Sequence, residues 1–233
     1  MNSKKITFIS EIGMNHNGNL DLSYELIKQS KLAGANIVKF QLGWRDKSNE
    51  INQIDEKRIK QLIDWSEYFE VELMFSIISE NAFNLIKKFN FATYKIASRT
   101  IKENIKLAHK IINMNKNTII SLGMWDKKKP PFKVNKKIDY LYCVSKYPCF
   151  PKDLIYLPKN FSKTYYSGYS DHSIGIETCL LAIARGAHII EKHFTLDKSD
   201  TTIRDHSLSA TPEEFRNLVN IGTDIFKKIK IGV

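Results

Sequence analysis

Two histidines close short β-like runs in this chain: His172 in Tyr169-Ser170-Asp171-His172-Ser173 and His193 in Glu191-Lys192-His193-Phe194-Thr195. Imidazole nitrogens presented in this way suit a metal in a cleft, to which Glu11, Glu191 or Asp205 can add oxygen. Nitrogen and oxygen donors without a thiolate favour manganese, iron, cobalt or zinc over calcium. A second group is cationic. Lys39 lies in Asn36-Ile37-Val38-Lys39-Phe40 and Lys95 in Tyr94-Lys95-Ile96-Ala97, apolar text in which an unpaired ammonium is costly to bury. With Ser76, Ser98 and Ser121 they make a cradle for a phosphate or carboxylate, the ammonium groups bringing charge and the hydroxyls directed donors. Taken singly, each serine reads as a cap or turn residue, and each lysine as a strand-end side chain reaching solvent or a structural ion pair. Their recurrence at equivalent places carries the functional reading. His16, in Asn15-His16-Asn17-Gly18, and His206, after Asp205, read equally as turn residues that hold a loop.

The elements that must position these groups alternate between short β-branched or apolar runs and longer segments of helical period. Eight strands are predicted near 6–11, 36–41, 72–77, 92–97, 117–122, 139–144, 164–169 and 187–194. Eight β-then-α units make the predicted fold α/β, a closed parallel (β/α)8 TIM barrel forming one domain over residues 1–233. In such a barrel the active site gathers at the C-terminal ends of the strands. Those ends supply Glu11, Lys39 and Gln41, Ser76, Lys95 and Ser98, Ser121, Ser145 and Tyr147, Ser170 with Asp171 and His172, and Glu191 with His193. Alternation along a strand puts Lys39 with Gln41, and Glu191 with His193, on shared faces. Asn19 is the expected cap of the first helix, Asp21 sits in its first turn, Leu22, Leu26, Ile27 and Ala33 line one face, and Gly34 follows. Thr211-Pro212-Glu213-Glu214 opens the closing helix, which continues through Phe215, Leu218, Val219, Phe226 and Ile229. Lys127-Lys128-Lys129-Pro130-Pro131-Phe132 occupies the place of the fifth helix, and consecutive prolines predict an irregular loop there.

The chain has 233 residues, 42% hydrophobic and 26% charged, and no apolar run approaches the roughly 20 residues of a membrane span. No membrane association is expected. The net charge of +11 is spread through Lys-, Asn- and Ile-rich text and not gathered in an arm, which argues against nucleic acid and suits small anions. Cys143, Cys149 and Cys179 fit neither a paired-thiol metal site nor a disulfide framework, favouring a reducing cytoplasm. The N-terminus runs into Ile6-Thr7-Phe8-Ile9-Ser10 without a secretion signal's apolar region.

Glu11-Ile12-Gly13-Met14-Asn15-His16-Asn17-Gly18, Val38-Lys39-Phe40-Gln41, Tyr94-Lys95-Ile96-Ala97-Ser98, Ser121-Leu122-Gly123-Met124, Cys143-Val144-Ser145-Lys146-Tyr147-Pro148, Tyr169-Ser170-Asp171-His172 and Glu191-Lys192-His193-Phe194-Thr195 follow one another in an order that resembles the sialic acid synthase family. That family includes N-acetylneuraminate, legionaminate and pseudaminate synthases, and the resemblance runs from about residue 6 to about residue 216. It implies a condensation of phosphoenolpyruvate with an N-acyl amino hexose, giving a nine-carbon 2-keto acid and phosphate. It implies a divalent metal on His172 and His193, manganese first, with magnesium, cobalt, iron or zinc as alternatives. On matching positions, Lys39, Ser76, Lys95, Ser98, Ser121 and Ser170 would hold phosphoenolpyruvate, with Ser145 where some relatives have asparagine. Gln41, Tyr147 and Asp205 would face the sugar, and Glu11 and Glu191 would order water or shuttle protons.

Departures shape further expectations. The family's small C-terminal antifreeze-like domain, which lends an arginine to a partner subunit's sugar site, has no counterpart before Gly232-Val233. The segment between Gln41 and Leu73 is shorter than in the family, Ser76-Ile77-Ile78 lacks a proline-phenylalanine pair, and Thr100 stands where a sugar-site glutamate is usual. The phosphoenolpyruvate and metal half is thus expected to be kept and the sugar half altered. Alternatives are a half-site protein that needs a partner chain, a non-catalytic binding barrel, or a related 3-deoxy-sugar-acid synthase using another aldose. A homodimer is expected by analogy.

Overall fold

Parallel pairing runs unbroken round a closed sheet: β1 (Thr7–Gly13), β2 (Ile37–Leu42), β3 (Glu72–Ile77), β4 (Thr93–Ile96), β5 (Asn117–Ser121), β6 (Ile138–Cys143), β7 (Tyr166–Asp171) and β8 (Ile189–His193), with β8 returning to β1. The computed structural model describes residues 5–44 and 50–231. The expected short link after Gln41 therefore lies partly outside the described residues, as do residues 1–4 and 232–233. The architecture is the predicted (β/α)8 barrel, with helices α1 (Leu20–Leu32), α2 (Glu56–Tyr68), α3 (Glu80–Ile86), α4 (Ser98–Glu103), α5 (Ile105–Ile112), α6 (Glu177–Ala184) and α7 (Pro212–Ile231).

The barrel interior explains the site above it. Ile9, Ile37, Met74, Ile119, Leu141 and Ile189 form their own apolar cluster inside the sheet. Two residues further along each strand, on the same face, stand Glu11, Lys39, Ser76, Ser121, Cys143 and Glu191. An apolar layer thus closes the floor and the next layer is polar. The other faces of the strands pack against the helices through a larger core that includes Phe8, Phe40, Phe75, Tyr94, Tyr140 and Phe194. Gly168 permits the close approach of β7 to β8, because a Cβ there would lie 1.8 Å from the Ile189 carbonyl oxygen.

Local signals behave as their chemistry demands. Asn19 Oδ1 accepts from the Asp21 and Leu22 amides at the start of α1. Thr211 and Glu214 cap α7 reciprocally, Thr211 N donating to Glu214 Oε2 at 2.9 Å and Glu214 N to Thr211 Oγ1 at 3.3 Å. Phe215 and Leu218 are buried, whereas Ile229 at the far end is exposed. No described helix is long and apolar enough to cross a membrane.

The expectation of one helix per unit is corrected in two places. As predicted, no helix follows β5, but the β6–β7 connection also lacks an α-helix and has 3-10 turns at Pro151–Asp153 and Phe161–Lys163. Pro148, Pro151 and Pro158 interrupt that connection. The fourth unit instead carries two helices, α4 and α5, and Asn104 caps the second by accepting from Leu107 N. The seventh strand is displaced from 164–169 to Tyr166–Asp171, bringing Ser170 and Asp171 inside it.

Candidate active site

All but Asp171 of the strand-end residues named from the sequence, together with Asp205, line one cavity of about 760 Å³ at the C-terminal end of the barrel: Glu11, Lys39, Gln41, Ser76, Lys95, Ser98, Ser121, Ser145, Tyr147, Ser170, His172, Glu191, His193 and Asp205. Register accounts for their proximity. Glu11 lies beside Lys39 and His193, Ser76 beside Gln41 and Lys95, and Ser170 beside Glu191.

The floor is a lattice of opposed charges. Lys39 Nζ lies 2.6 Å from Glu11 Oε2 and 3.6 Å from Glu191 Oε2, and Lys95 Nζ lies 3.4 Å from Glu191 Oε1. Lys95 also donates to Ser121 Oγ at 2.7 Å, Ser170 Oγ to Glu191 Oε1 at 2.7 Å, and Gln41 Nε2 to Glu11 Oε1 at 3.0 Å. Ser98 Oγ is committed to the Gly123 amide, which donates to it at 2.9 Å. All four charged groups are buried, so desolvation is the largest influence on each. Burial raises Glu11, an effect that Lys39 only partly opposes. Glu191 is also penalised by burial, but Lys39 and Lys95 together draw it down to about 2. Burial lowers Lys95, whereas Lys39, although desolvated, is raised by the two glutamates. Glu191 is therefore held charged between the lysines, while Glu11 has the higher proton affinity of the two.

The histidines stand on adjacent strand ends, with ring centroids 5.4 Å apart. His172 Nδ1 lies 2.7 Å from the Val144 carbonyl, which can only accept, so the proton sits on Nδ1 and the Nε2 lone pair is the one offered. Burial disfavours charge on this ring, but Cys143, its Sγ 3.7 Å from Nδ1, reverses the shift; the thiol is lowered against its own burial by His172. Burial lowers His193 to about 3, leaving it neutral, and its Nδ1 lies 3.9 Å from Asp205 Oδ2. Tyr147 packs against His172 with 4.0 Å between ring centroids and a 30° tilt.

These donors fit a divalent ion of the open, catalytic kind. His193 Nδ1 is buried without a hydrogen-bond partner beside Asp205, whereas Glu11 Oε2 and Glu191 Oε2 are taken up by the Lys39 ammonium. Among the described residues no three His, Cys, Asp or Glu side chains converge on one point as a closed cage. An ion held here would draw on the two imidazoles, with Asp205 beside one of them.

His16 and His206 lie outside the cavity lining and hold loops, as their turn context suggests. His206 Nδ1 meets Thr195 Oγ1 at 2.6 Å and its Nε2 meets Asn17 Oδ1 at 3.1 Å. His16 Nδ1 accepts from the Gly18 amide at 3.2 Å. Thr100 is buried and donates to the Ile77 carbonyl at 3.2 Å. Sequence reasoning missed Trp44, Arg99, Cys143 and Arg204, all part of the cavity wall. Cys143 was within reach, being two residues beyond the inward Leu141; Trp44, Arg99 and Arg204 lie past strand ends, where no periodicity fixes direction.

A family model described as the NeuB family matches residues 46–232. An uncharacterized protein of Methanocaldococcus jannaschii is 32% identical over 91% of this chain and 68% of its own length. The N,N'-diacetyllegionaminic acid synthase of Campylobacter jejuni is 29% identical over 99% of this chain and 79% of its own. Among solved structures, an N-acetylneuraminic acid (sialic acid) synthetase from Leptospira borgpetersenii superposes with a TM-score of 0.84 at 31% identity, covering 98% of this chain and 86% of that one. With the family model covering most of its length and its barrel shared with these relatives, the chain belongs to the NeuB family.

Proposed function

We propose that this chain condenses phosphoenolpyruvate with an N-acyl amino hexose of the N-acetylmannosamine type, giving a nonulosonic acid and inorganic phosphate. The observation that carries the reading is the cavity floor, where buried Lys39 and Lys95 are interleaved with Glu191 and serine hydroxyls beside two neighbouring histidines. A small molecule bearing both a carboxylate and a phosphate answers two separate cations better than a single anion does. Relatives named as legionaminic and pseudaminic acid synthases support the same chemistry.

In the proposed reaction carbon 3 of phosphoenolpyruvate bonds to the aldehyde carbon, whose oxygen takes a proton. Water adds at carbon 2, the bond from carbon 2 to the phosphate oxygen breaks, and phosphate leaves to give the 2-keto acid. Lys39 and Lys95 neutralise the carboxylate and phosphate, while Ser76, Ser98, Ser121, Ser145 and Ser170 orient them. Glu191, held ionised, balances the lysines, and Glu11, with its raised proton affinity, gives or takes the proton of water. Gln41, Tyr147 and Asp205 border the acceptor. A divalent ion held by His172 and His193, manganese before magnesium, cobalt, iron or zinc, would supply Lewis acidity towards the acceptor carbonyl.

The test is phosphate release by the purified, manganese-supplied chain with phosphoenolpyruvate and a panel of aldoses, with products identified by mass. Release that requires both substrates and yields a nine-carbon acid is expected. A shorter acid would move the chain to another 3-deoxy-sugar-acid chemistry, and no binding of phosphoenolpyruvate would overturn the proposal.

A further inference from the structure

We infer that Asn17, which lies outside the cavity, is a positioning residue for Asp205: from the turn between β1 and α1 it clamps the β8–α7 connection and so sets the Asp205 carboxylate beside His193. The inference deepens the reading above, in which Asp205 borders the acceptor. Thr201, Thr202, Ile203, Arg204 and Asp205 supply part of the cavity wall, yet they belong to irregular backbone and a 3-10 turn, where no strand register fixes direction. The Asp205 carboxylate does not anchor itself. Oδ1 faces Arg204 Nε at 3.4 Å, on a side chain that is largely exposed, and Oδ2 stands 3.9 Å from His193 Nδ1. Its place is therefore set by the main chain on either side.

The segment after Asp205 is fixed to the barrel. Phe194 bridges to Ala210, Ser209 Oγ donates to the Asp205 carbonyl at 2.6 Å, and Asn15 Nδ2 donates both to Ser209 Oγ at 3.0 Å and to the Phe194 carbonyl at 2.9 Å. The segment before it is tied through Asn17. Asn17 Nδ2 donates to Asp200 Oδ2 at 2.6 Å, and Asp200 Oδ1 accepts from the Thr202 amide at 2.7 Å. Asn17 Oδ1 faces His206 Nε2 at 3.1 Å; an amide oxygen only accepts, so that nitrogen carries a proton, and the ring's Nδ1 meets Thr195 Oγ1 at 2.6 Å. One side chain thus joins the start of the connection, through Asp200, to the immediate neighbour of Asp205. Asparagine suits the place on two counts. Its φ of 50° is a left-handed conformation that asparagine adopts more readily than most residues, and its amide offers a donor end and an acceptor end, which match a carboxylate and an imidazole N–H. The floor is independent of this clamp: Lys39, Ser76, Lys95 and Ser121 stand on β2, β3, β4 and β5.

The experiment uses the full chain as wild type, Asn17→Gly, Asp205→Asn and the two combined. Glycine takes a positive φ without strain, so Asn17→Gly removes the amide and keeps the turn. Manganese and phosphoenolpyruvate are titrated separately by calorimetry, and phosphate release is followed at saturating phosphoenolpyruvate with the acceptor aldose varied. Asn17→Gly and Asp205→Asn are each expected to weaken manganese binding about tenfold and to lower kcat/KM for the acceptor about ten- to a hundredfold. The combined variant should be no worse than Asp205→Asn alone, and phosphoenolpyruvate affinity should match wild type throughout. Asn17→Asp, which sets a carboxylate against Asp200, should show the same losses, and Asn17→Asp/Asp200→Asn, which restores the pair with the roles exchanged, should recover most of them. Losses that add in the combined variant would overturn the inference, as would wild-type values in Asn17→Gly or no recovery by the exchanged pair. A wild type that turns over no aldose counts against the proposed reaction alone, since the manganese pattern still reads the clamp.

Discussion

Asp171 and Lys192 are joined at 2.8 Å with neither side chain exposed, and each is the immediate chain neighbour of a cavity histidine. They are register partners on β7 and β8, facing away from the barrel axis while His172 and His193 face the cavity. Asp171 is fully engaged: Oδ1 accepts from Tyr169 OH, Ser173 N and Ser173 Oγ, and Oδ2 from Lys192 and Cys179. Burial would raise this carboxyl, but Lys192 and the Ser173 donors hold it below its usual value. The pair fastens together the two strands that carry the histidines.

Lys192→Met should therefore cost about 3–5 kcal/mol in denaturant unfolding, because a buried carboxylate loses its counter-charge. Asp171→Asn in the same chain should recover part of that loss by removing the orphaned charge. A double variant as unstable as the sum of the two singles would show that the pair is not coupled.

Lys95 and Lys39 should differ on truncation. Lys95 is destabilised in its charged form by burial, whereas Lys39 is drawn up by two carboxylates. Lys95→Ala is expected to weaken phosphoenolpyruvate binding by about ten- to a hundredfold with little change in melting temperature. Lys39→Ala should weaken binding and also destabilise the fold, since buried Glu11 then loses its counter-charge beside Glu191. Calorimetry together with thermal melts separates the two; equal losses of stability would contradict the assignment.

Manganese should bind once per chain, measured by elemental analysis after dialysis, and be lost in His172→Ala/His193→Ala. The same variant should keep most of its affinity for phosphoenolpyruvate, because Lys39, Lys95, Ser76, Ser98 and Ser121 of the cradle come from other strand ends. Retained stoichiometric metal in the double variant would move the ion to a different donor set.

The polar layer of the barrel was legible because a strand leaves a side chain little freedom of direction. Once Ile9, Ile37 and Ile189 point inward, Glu11, Lys39 and Glu191 must follow two residues later. Loops have no such period, so Arg204 over Tyr147 and Arg99 over Trp44 could not be placed from their positions in the chain. The missing sixth helix had a signal in Pro148, Pro151 and Pro158, spaced too widely to stand out as Pro130-Pro131 does. Asp171 was named for its place beside a histidine, yet its work lies on the opposite face, in a pairing with Lys192 that only strand register brings about.

His16 makes stability depend on pH in a definite direction. The ring is buried, its Nδ1 accepts the Gly18 amide, and Nε2 has no hydrogen-bond partner. Burial, aided by the charge of Arg58, lowers its proton affinity from 6.5 to about 4. The unfolded chain takes up a proton that the folded chain refuses, so this contribution is intact above pH 6.5 and is lost progressively as pH falls from there towards 4. Across that window the loss approaches about 3 kcal/mol. His206, also lowered chiefly by burial, acts in the same direction, so His16→Gln should flatten the decline without abolishing it. Urea midpoints recorded between pH 7.5 and about 4.5 for wild type and variant supply the check. Converging curves as pH falls are expected, because the variant has no histidine here to charge; curves that stay parallel would show that His16 titrates alike in the folded and unfolded chains.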